Sequence, residues 1–205
     1  FEQNLPNPAH YNQAVMLTVE PNAQGSVIES SLVPLVQHHD SLRLRFQKNE
    51  GSWQQQYAPI DTVTVPIDEV DLRQQNDLAV DEAIARLQAS LNLEDGPLLR
   101  GALLTLDSGK YLLLITHHLV VDGVSWRILL TDLCLAYQQI STSQPVSLPA
   151  KTTAFSHWTQ HLSNKLPAFE TERDYWIETS RPTNALPIDR PTGANTVGDS
   201  REMVV

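Results

Sequence analysis

Tyr111-Leu112-Leu113-Leu114-Ile115-Thr116-His117-His118-Leu119-Val120-Val121-Asp122-Gly123-Val124-Ser125-Trp126 is the stretch that decides how this chain is read. Its first five residues are apolar without interruption, the pattern of a strand buried on both faces rather than one with a solvated side. Two histidines close the run. After a short apolar link, Asp122-Gly123 marks a turn. Ile128, Leu129, Leu133, Leu135 and Ala136 then recur at helical spacing, which predicts a helix to about Ile140 with Ser125 near its start. An imidazole is thereby placed at the end of a central strand and beside a helix N-terminus. Packing fixes a ring in that position, and a strand end opens toward a cleft, so the position suits a general base.

Working outward, Leu98 to Leu106 and Lys110 to His117 read as two strands joined by the hairpin signal Asp107-Ser108-Gly109. Asp77 to Leu91 is a helix with Leu78, Ala79, Ala83, Ile84, Leu87 and Leu91 on one side. Val63 to Val70 is a strand that Pro66 confines to an edge. Ser41 to Phe46 alternates strictly, putting Leu42, Leu44 and Phe46 on one face and Arg43 and Arg45 on the other. Glu50-Gly51 turns it into Ser52 to Tyr57.

Nearer the start, Gln13 to Glu20 is a strand. Ser26, with Glu29 three residues on, opens a helix through a capping box. Val27, Ile28, Leu32, Leu35 and Val36 form its buried face despite Pro34. Beyond the central stretch, Thr153 to Leu162 and Ala168 to Glu178 are helices broken at Pro167, and a linker follows from Arg181. The expected fold is α/β: a two-layer sandwich, helices on a mostly antiparallel mixed sheet. One lobe is expected over residues 1–180, with residues 181–205 as a linker and the start of another.

Composition bounds the function. Hydrophobic residues at 41% and charged ones at 19% are ordinary for a globular domain, and 205 residues suffice for a substantial core. With 24 acidic against 14 basic residues, the formal charge of -10 argues against nucleic acid or a basic membrane surface as partner. The lone cysteine, Cys134, falls in the helical pattern and reads as core. It permits no internal disulfide, which points to a reducing, cytoplasmic setting. No run approaches the roughly 18 apolar residues of a membrane span. Phe1-Glu2-Gln3-Asn4 and Glu202 to Val205 read as the ends of a piece cut from something longer.

Competing motifs are weak. His38-His39 ends a helix, where imidazole complements the dipole. His157 and His161 have zinc-ligand spacing, but Trp158-Thr159-Gln160 between them lacks the metalloprotease glutamate. Gly123-Val124-Ser125-Trp126-Arg127 misses a nucleophile elbow because Arg127 stands in the second glycine's place. Phosphate-binding glycine loops are absent.

His117-His118-Leu119-Val120-Val121-Asp122-Gly123 resembles the HHxxxDG signature of the condensation-domain superfamily of nonribosomal peptide synthetases. His39-Asp40-Ser41-Leu42-Arg43-Leu44-Arg45-Phe46 and Gly96-Pro97-Leu98-Leu99-Arg100 resemble two further segments of that family, in order. The resemblance implies a chloramphenicol acetyltransferase-like lobe, one of two that form a V. It makes His118 the catalytic residue, with His117, Asp122, Gly123, Ser125 and Trp126 in support. Asp122 is expected to pair with an arginine, Arg43 before Arg45, and Gly123 to allow a close turn.

Asp122-Gly123-Val124-Ser125-Trp126-Arg127-Ile128-Leu129, with the opening Asn4-Leu5-Pro6-Asn7-Pro8 and Asn12-Gln13, is similar to the epimerization branch. That branch implies inversion at the Cα of an aminoacyl or peptidyl thioester. The substrate rides the 4′-phosphopantetheine arm of a peptidyl carrier protein, with neighbouring synthetase domains in the same polypeptide and no metal or directly bound cofactor. A thioester acidifies the neighbouring Cα–H, and an imidazole, ordinarily near 6.5, is matched to removing it at neutral pH. The opposite-face acid is implied to be a glutamate of the other lobe, so these residues alone are expected to be inactive. The alternatives are a condensation domain, in which His118 serves an attacking amine, and a silent carrier-docking domain.

Overall fold

The computed structural model describes residues 7–62 and 64–181. Their contacts divide the chain into two units, Phe1–His157 and Trp158–Val205. The first contains β1 (Asn12–Val19), α1 (Gly25–His38), β2 (Leu44–Asn49), β3 (Ser52–Tyr57), β4 (Ile67–Asp71), α2 (Asp77–Gln88), β5 (Leu99–Leu106), β6 (Gly109–His117) and α3 (Gly123–Ser141). α4 (Phe155–Phe169) begins in the first unit and continues into the second, which also holds α5 (Arg173–Thr179). No described helix is long and apolar enough to cross a membrane.

β6 lies inside the four-stranded sheet β1-β6-β5-β4 and pairs antiparallel with both neighbours. β4 joins the far edge parallel to β5, and β2 and β3 form a separate hairpin. The apolar run of β6 is explained by what covers it. Leu112 and Leu114 share a core with Ile28, Leu32, Leu35 and Val36 of α1 and with Trp126, Leu129 and Leu133 of α3. Leu113 and Ile115 point the other way, into a second core with Ala83, Val80, Ile84 and Leu87 of α2. Each such side chain removed from water contributes roughly 1.5–3 kcal/mol. Helices on a mostly antiparallel sheet, the expected class, are what the chain forms, but with α1 and α3 on one face and α2 on the other there are three layers rather than the expected two.

Several local features differ from expectation. α1 starts at Gly25 with Gln24 as its unbonded N-cap, so Ser26 does not cap it. The alternating stretch after α1 starts as a 3-10 turn, Asp40–Arg43, and only Leu44 begins the strand. The cause is Arg43, which is buried rather than solvated: its Nη1 donates to the carbonyls of Val36 and Gln37, two acceptors that the end of α1 leaves open. Leu42, Leu44 and Phe46 are buried as the alternation predicts.

Pro167 lies within α4 instead of breaking it, and the interruption falls at Glu170–Glu172. The carbonyl that Pro167 leaves without a donor sits on an exposed helix, where water can serve it. Leu78 is 66% exposed, outside the buried side of α2, where Asn76 caps the helix by accepting the Ala79 N–H. Cys134 is exposed, on the side of α3 away from the core. The edge strand begins only after Pro66, and the expected linker beyond Arg181 lies outside the described residues.

Ile115→Ala is expected to cost about 2–5 kcal/mol, because it empties a filled site between β6 and α2. Leu78→Ala should change stability by less than about 0.5 kcal/mol. Urea denaturation midpoints of the two variants check both.

Candidate active site

The sheet fixes the two histidines by their backbones first. His117 N–H donates to the Leu98 carbonyl at 2.9 Å, on the β5 side, and His118 N–H donates to the Tyr11 carbonyl at 2.9 Å, on the β1 side. Backbone pairing therefore runs to the last residue of β6 on the β5 flank and one residue past it on the β1 flank. Strand alternation then sends the two rings to opposite faces.

His117 is 1% exposed and fully engaged. Its Nε2 faces the Pro8 carbonyl at 2.8 Å, so Nε2 carries the proton, and its Nδ1 accepts the Leu119 N–H at 3.1 Å. Burial, first, and the neighbouring His118 push its pKa below the ordinary 6.5, against the weaker opposing effect of the Pro8 hydrogen bond. His117 is a neutral clamp that ties the segment before β1 to the strand end.

His118 is half-buried and reaches a cleft of about 300 Å³ lined also by Ser41, Val121, Asp122, Ser125 and Phe155. That volume is at the small end of the range for ligand sites. Its Nδ1 faces the Val121 carbonyl at 2.8 Å. A carbonyl only accepts, so Nδ1 holds the proton and Nε2 the lone pair. Gln13 Nε2 approaches that lone pair at 3.2 Å, and the Tyr11 ring stacks on the imidazole with centroids 5.0 Å apart. A neutral imidazole at the edge of a cleft, its Nε2 lone pair met by an amide that can yield to substrate, can accept a proton from a carbon acid or from an amine.

Asp122 is the N-cap of α3: one carboxylate oxygen accepts both the backbone N–H and the hydroxyl of Ser125, at 2.7 and 2.6 Å. Those Ser125 bonds hold its pKa below the usual carboxylate value. The expected Arg43–Asp122 pair does not form. Arg43 binds Asp40 at 2.7 Å and the end of α1, while Arg45 donates to the carbonyls of Asp95 and Leu44. A helix N-terminus already supplies Asp122 with donors, so it has no need of a cation. Ser125, spent on Asp122, is not a free oxyanion donor. Gly123 has no positive φ and nothing within 4 Å of where a Cβ would sit, so the turn itself does not require glycine. Trp126 is buried in the core under the site, its indole N–H donating to Gln13 Oε1 at 3.0 Å.

Tyr11 and Gln13 join the site without having been picked out as site residues by sequence reasoning. Gln13 did leave a signal: it shares strand parity with Val15, Leu17 and Val19, which pack on the core, so it is a polar residue on a core-facing row.

Away from the cleft, His39 Nε2 pairs with the buried Asp132 at 2.8 Å, joining the end of α1 to α3, a role its place at a helix end did not reveal. Among the described residues, His38, His39 and Asp132 are the one trio whose ligand atoms lie within 4.8 Å of one another. The His39–Asp132 hydrogen bond accounts for that closeness. His161 stacks on Trp158.

A strand-end histidine pointing into a cleft beside a helix N-terminus, on a mostly antiparallel sheet, defines an acyltransferase-like lobe, and comparison with known proteins agrees. The Condensation domain family model matches residues 1–204, and the chain belongs to that family. It is 38% identical over 95% of its length to a linear gramicidin synthase of Brevibacillus parabrevis, and 34% identical over its full length to surfactin synthase subunit 2 of Bacillus subtilis. It spans only 3% and 6% of those two proteins. Among solved structures it matches the epimerization domain from the third module of tyrocidine synthetase B with a TM-score of 0.84 at 35% identity, covering 93% of this chain and 45% of that one. The first condensation domain of the calcium-dependent antibiotic synthetase matches with a TM-score of 0.68 at 25% identity, covering 88% of this chain and 45% of that one.

His117 titrates lower in the fold than in the unfolded chain, so the unfolded state takes up the proton first. Its contribution is complete above pH 6.5 and is lost as pH falls below that value. His38 is shifted the same way, by burial first. Thermal melts between pH 8 and 5 should therefore show falling stability below about pH 6.5. His117→Gln should flatten part of that slope.

Proposed function

We propose that this chain supplies the base-bearing lobe of an epimerization site that inverts the Cα of an aminoacyl or peptidyl thioester. The observation that carries the proposal is the His118 imidazole, with its proton on Nδ1 and its lone pair at Nε2, beside the cleft. His118 Nε2 takes the Cα proton, and the electron pair of that C–H bond moves into the thioester carbonyl to give an enolate. A proton delivered to the other face of Cα then completes inversion. Asp122 and the first turn of α3 hold the segment through Val121, and so hold the ring.

The thioester is carried on the 4′-phosphopantetheine arm of a peptidyl carrier protein, and the opposite-face acid belongs to a second lobe, by resemblance a glutamate. This chain spans 45% of the tyrocidine synthetase epimerization domain it resembles. On this reading residues 1–205 alone do not turn over. The higher structural likeness to that domain, and Val124-Ser125-Trp126 after Asp122-Gly123, favour epimerization over condensation.

The test uses a domain containing both lobes and its carrier loaded with an L-aminoacyl or peptidyl thioester, incubated in deuterated water. Deuterium uptake at Cα and a mixture of D and L product are expected, both falling by at least about 10²-fold in His118→Ala. Amide formation with a downstream aminoacyl carrier, without exchange at Cα, overturns epimerization in favour of condensation. Neither reaction, with the carrier still bound, leaves a docking domain.

A further inference from the structure

We infer that Gln13 and Trp126 form a positioning pair that, opposite the Val121 carbonyl, keeps the His118 proton off Nε2. Donor and acceptor rules alone lead there. Indole Nε1 can only donate, so the Gln13 atom that it meets at 3.0 Å is the carbonyl oxygen. The other end of the same amide is then NH₂, a donor, and it is this end that faces His118 Nε2 at 3.2 Å. Two donors cannot bond each other, so Nε2 must present a lone pair. Independently, the Val121 carbonyl demands a proton on Nδ1. The two constraints reach the same tautomer from opposite sides of the ring, and the chain Trp126–Gln13–His118–Val121 is consistent at every link.

Trp126 keeps this polarity from reversing. It is 8% exposed, packed in the core with Leu129 and Leu133, and its indole N–H is given to Gln13. Rotating the Gln13 amide would aim its NH₂ at that N–H and leave a buried donor unmatched. Gln13 itself is fixed in β1, paired with Thr116 of β6. The effect is to keep Nε2 unprotonated before any substrate arrives. This role rests on His118 being the base of the proposed reaction. It also gives the Val124-Ser125-Trp126 segment a physical task, since the tryptophan acts on the histidine through a residue on another strand.

The decisive variant is Gln13→Glu, nearly the same shape but with an acceptor where the NH₂ was. Trp126 keeps its oxygen partner, and Nε2 now faces a carboxylate oxygen that calls for a proton there. In the 205-residue chain labelled with 15N-histidine, nitrogen-proton correlations at pH 8 read the protonation of both ring nitrogens, His118 being assigned by its loss in His118→Ala. The wild type is expected to carry the His118 proton on Nδ1 only, and Gln13→Glu to show a second proton on Nε2, because the Val121 carbonyl still holds the one on Nδ1. Trp126→Phe, which frees the amide to rotate its oxygen toward Nε2, should show a partial proton on Nε2 with Nδ1–H retained. His117, protonated on Nε2 by its bond to Pro8, is the internal reference and should not change in a folded variant.

In the two-lobed domain, Gln13→Glu should lower kcat for Cα exchange by about 10²–10⁴-fold with KM little altered. Gln13→Met, which keeps the bulk and removes both bonds, should lower it less. A wild-type His118 protonated on Nε2, or a Gln13→Glu spectrum identical to the wild type, overturns the inference whatever the reaction proves to be. If Gln13→Glu alters the His117 signals, the decision passes to Trp126→Phe, in which an Nε2 as free of protons as in the wild type overturns it. Because the spectra do not depend on turnover, a failure of the epimerization reading leaves them intact and is seen separately in the exchange assay.

Discussion

Everything at the candidate site depends on backbone pairing that outlasts the strand. β6 ends formally at His117, yet His117 N–H still reaches β5's flank at Leu98 and His118 N–H still reaches β1's flank at Tyr11. These bonds place consecutive histidines on opposite sides of a sheet that is covered on both faces. One ring is driven into the protein and neutralised by its own partners; the other emerges at the cleft. The same constraint fixes the start of α3, because only four residues separate His118 from Gly123.

The site is economical with its polar groups. His117 commits both nitrogens to backbone, and Asp122 commits its cap oxygen to Ser125. Arg43 is used to finish α1 and to bind Asp40. What is left with chemistry to offer is His118, held from one side by Val121 and from the other by Gln13. A buried polar group without a partner is costly, so a network in which each member has one is also a network with one orientation. The single orientation is what catalysis by a positioned base requires.

The strand, the histidine pair, the turn and the helix after it were legible in the sequence, because an unbroken apolar run and a 3.6-residue period are direct consequences of burial. The family resemblance was legible there too. Contacts decided by three-dimensional competition were not. Arg43 lay on the polar side of an alternating stretch, but the open carbonyls at the end of α1 captured it and curled the first residues into a 3-10 turn. Asp122 looked like a partner for an arginine until the helix it caps supplied nearer donors. Gln13 was visible only as a polar residue on an apolar row; its tie to Trp126, 113 positions away, needed the fold.

On the proposed reading, His118 Nε2 addresses a Cα–H bond rather than an amine. A crystal structure of the two-lobed domain with a stable aminoacyl thioether on a pantetheine arm would separate the two. The substrate Cα is expected about 3–3.5 Å from His118 Nε2, with Nδ1 still bonded to the Val121 carbonyl. An α-amine at Nε2, with Cα turned away, contradicts epimerization at this site.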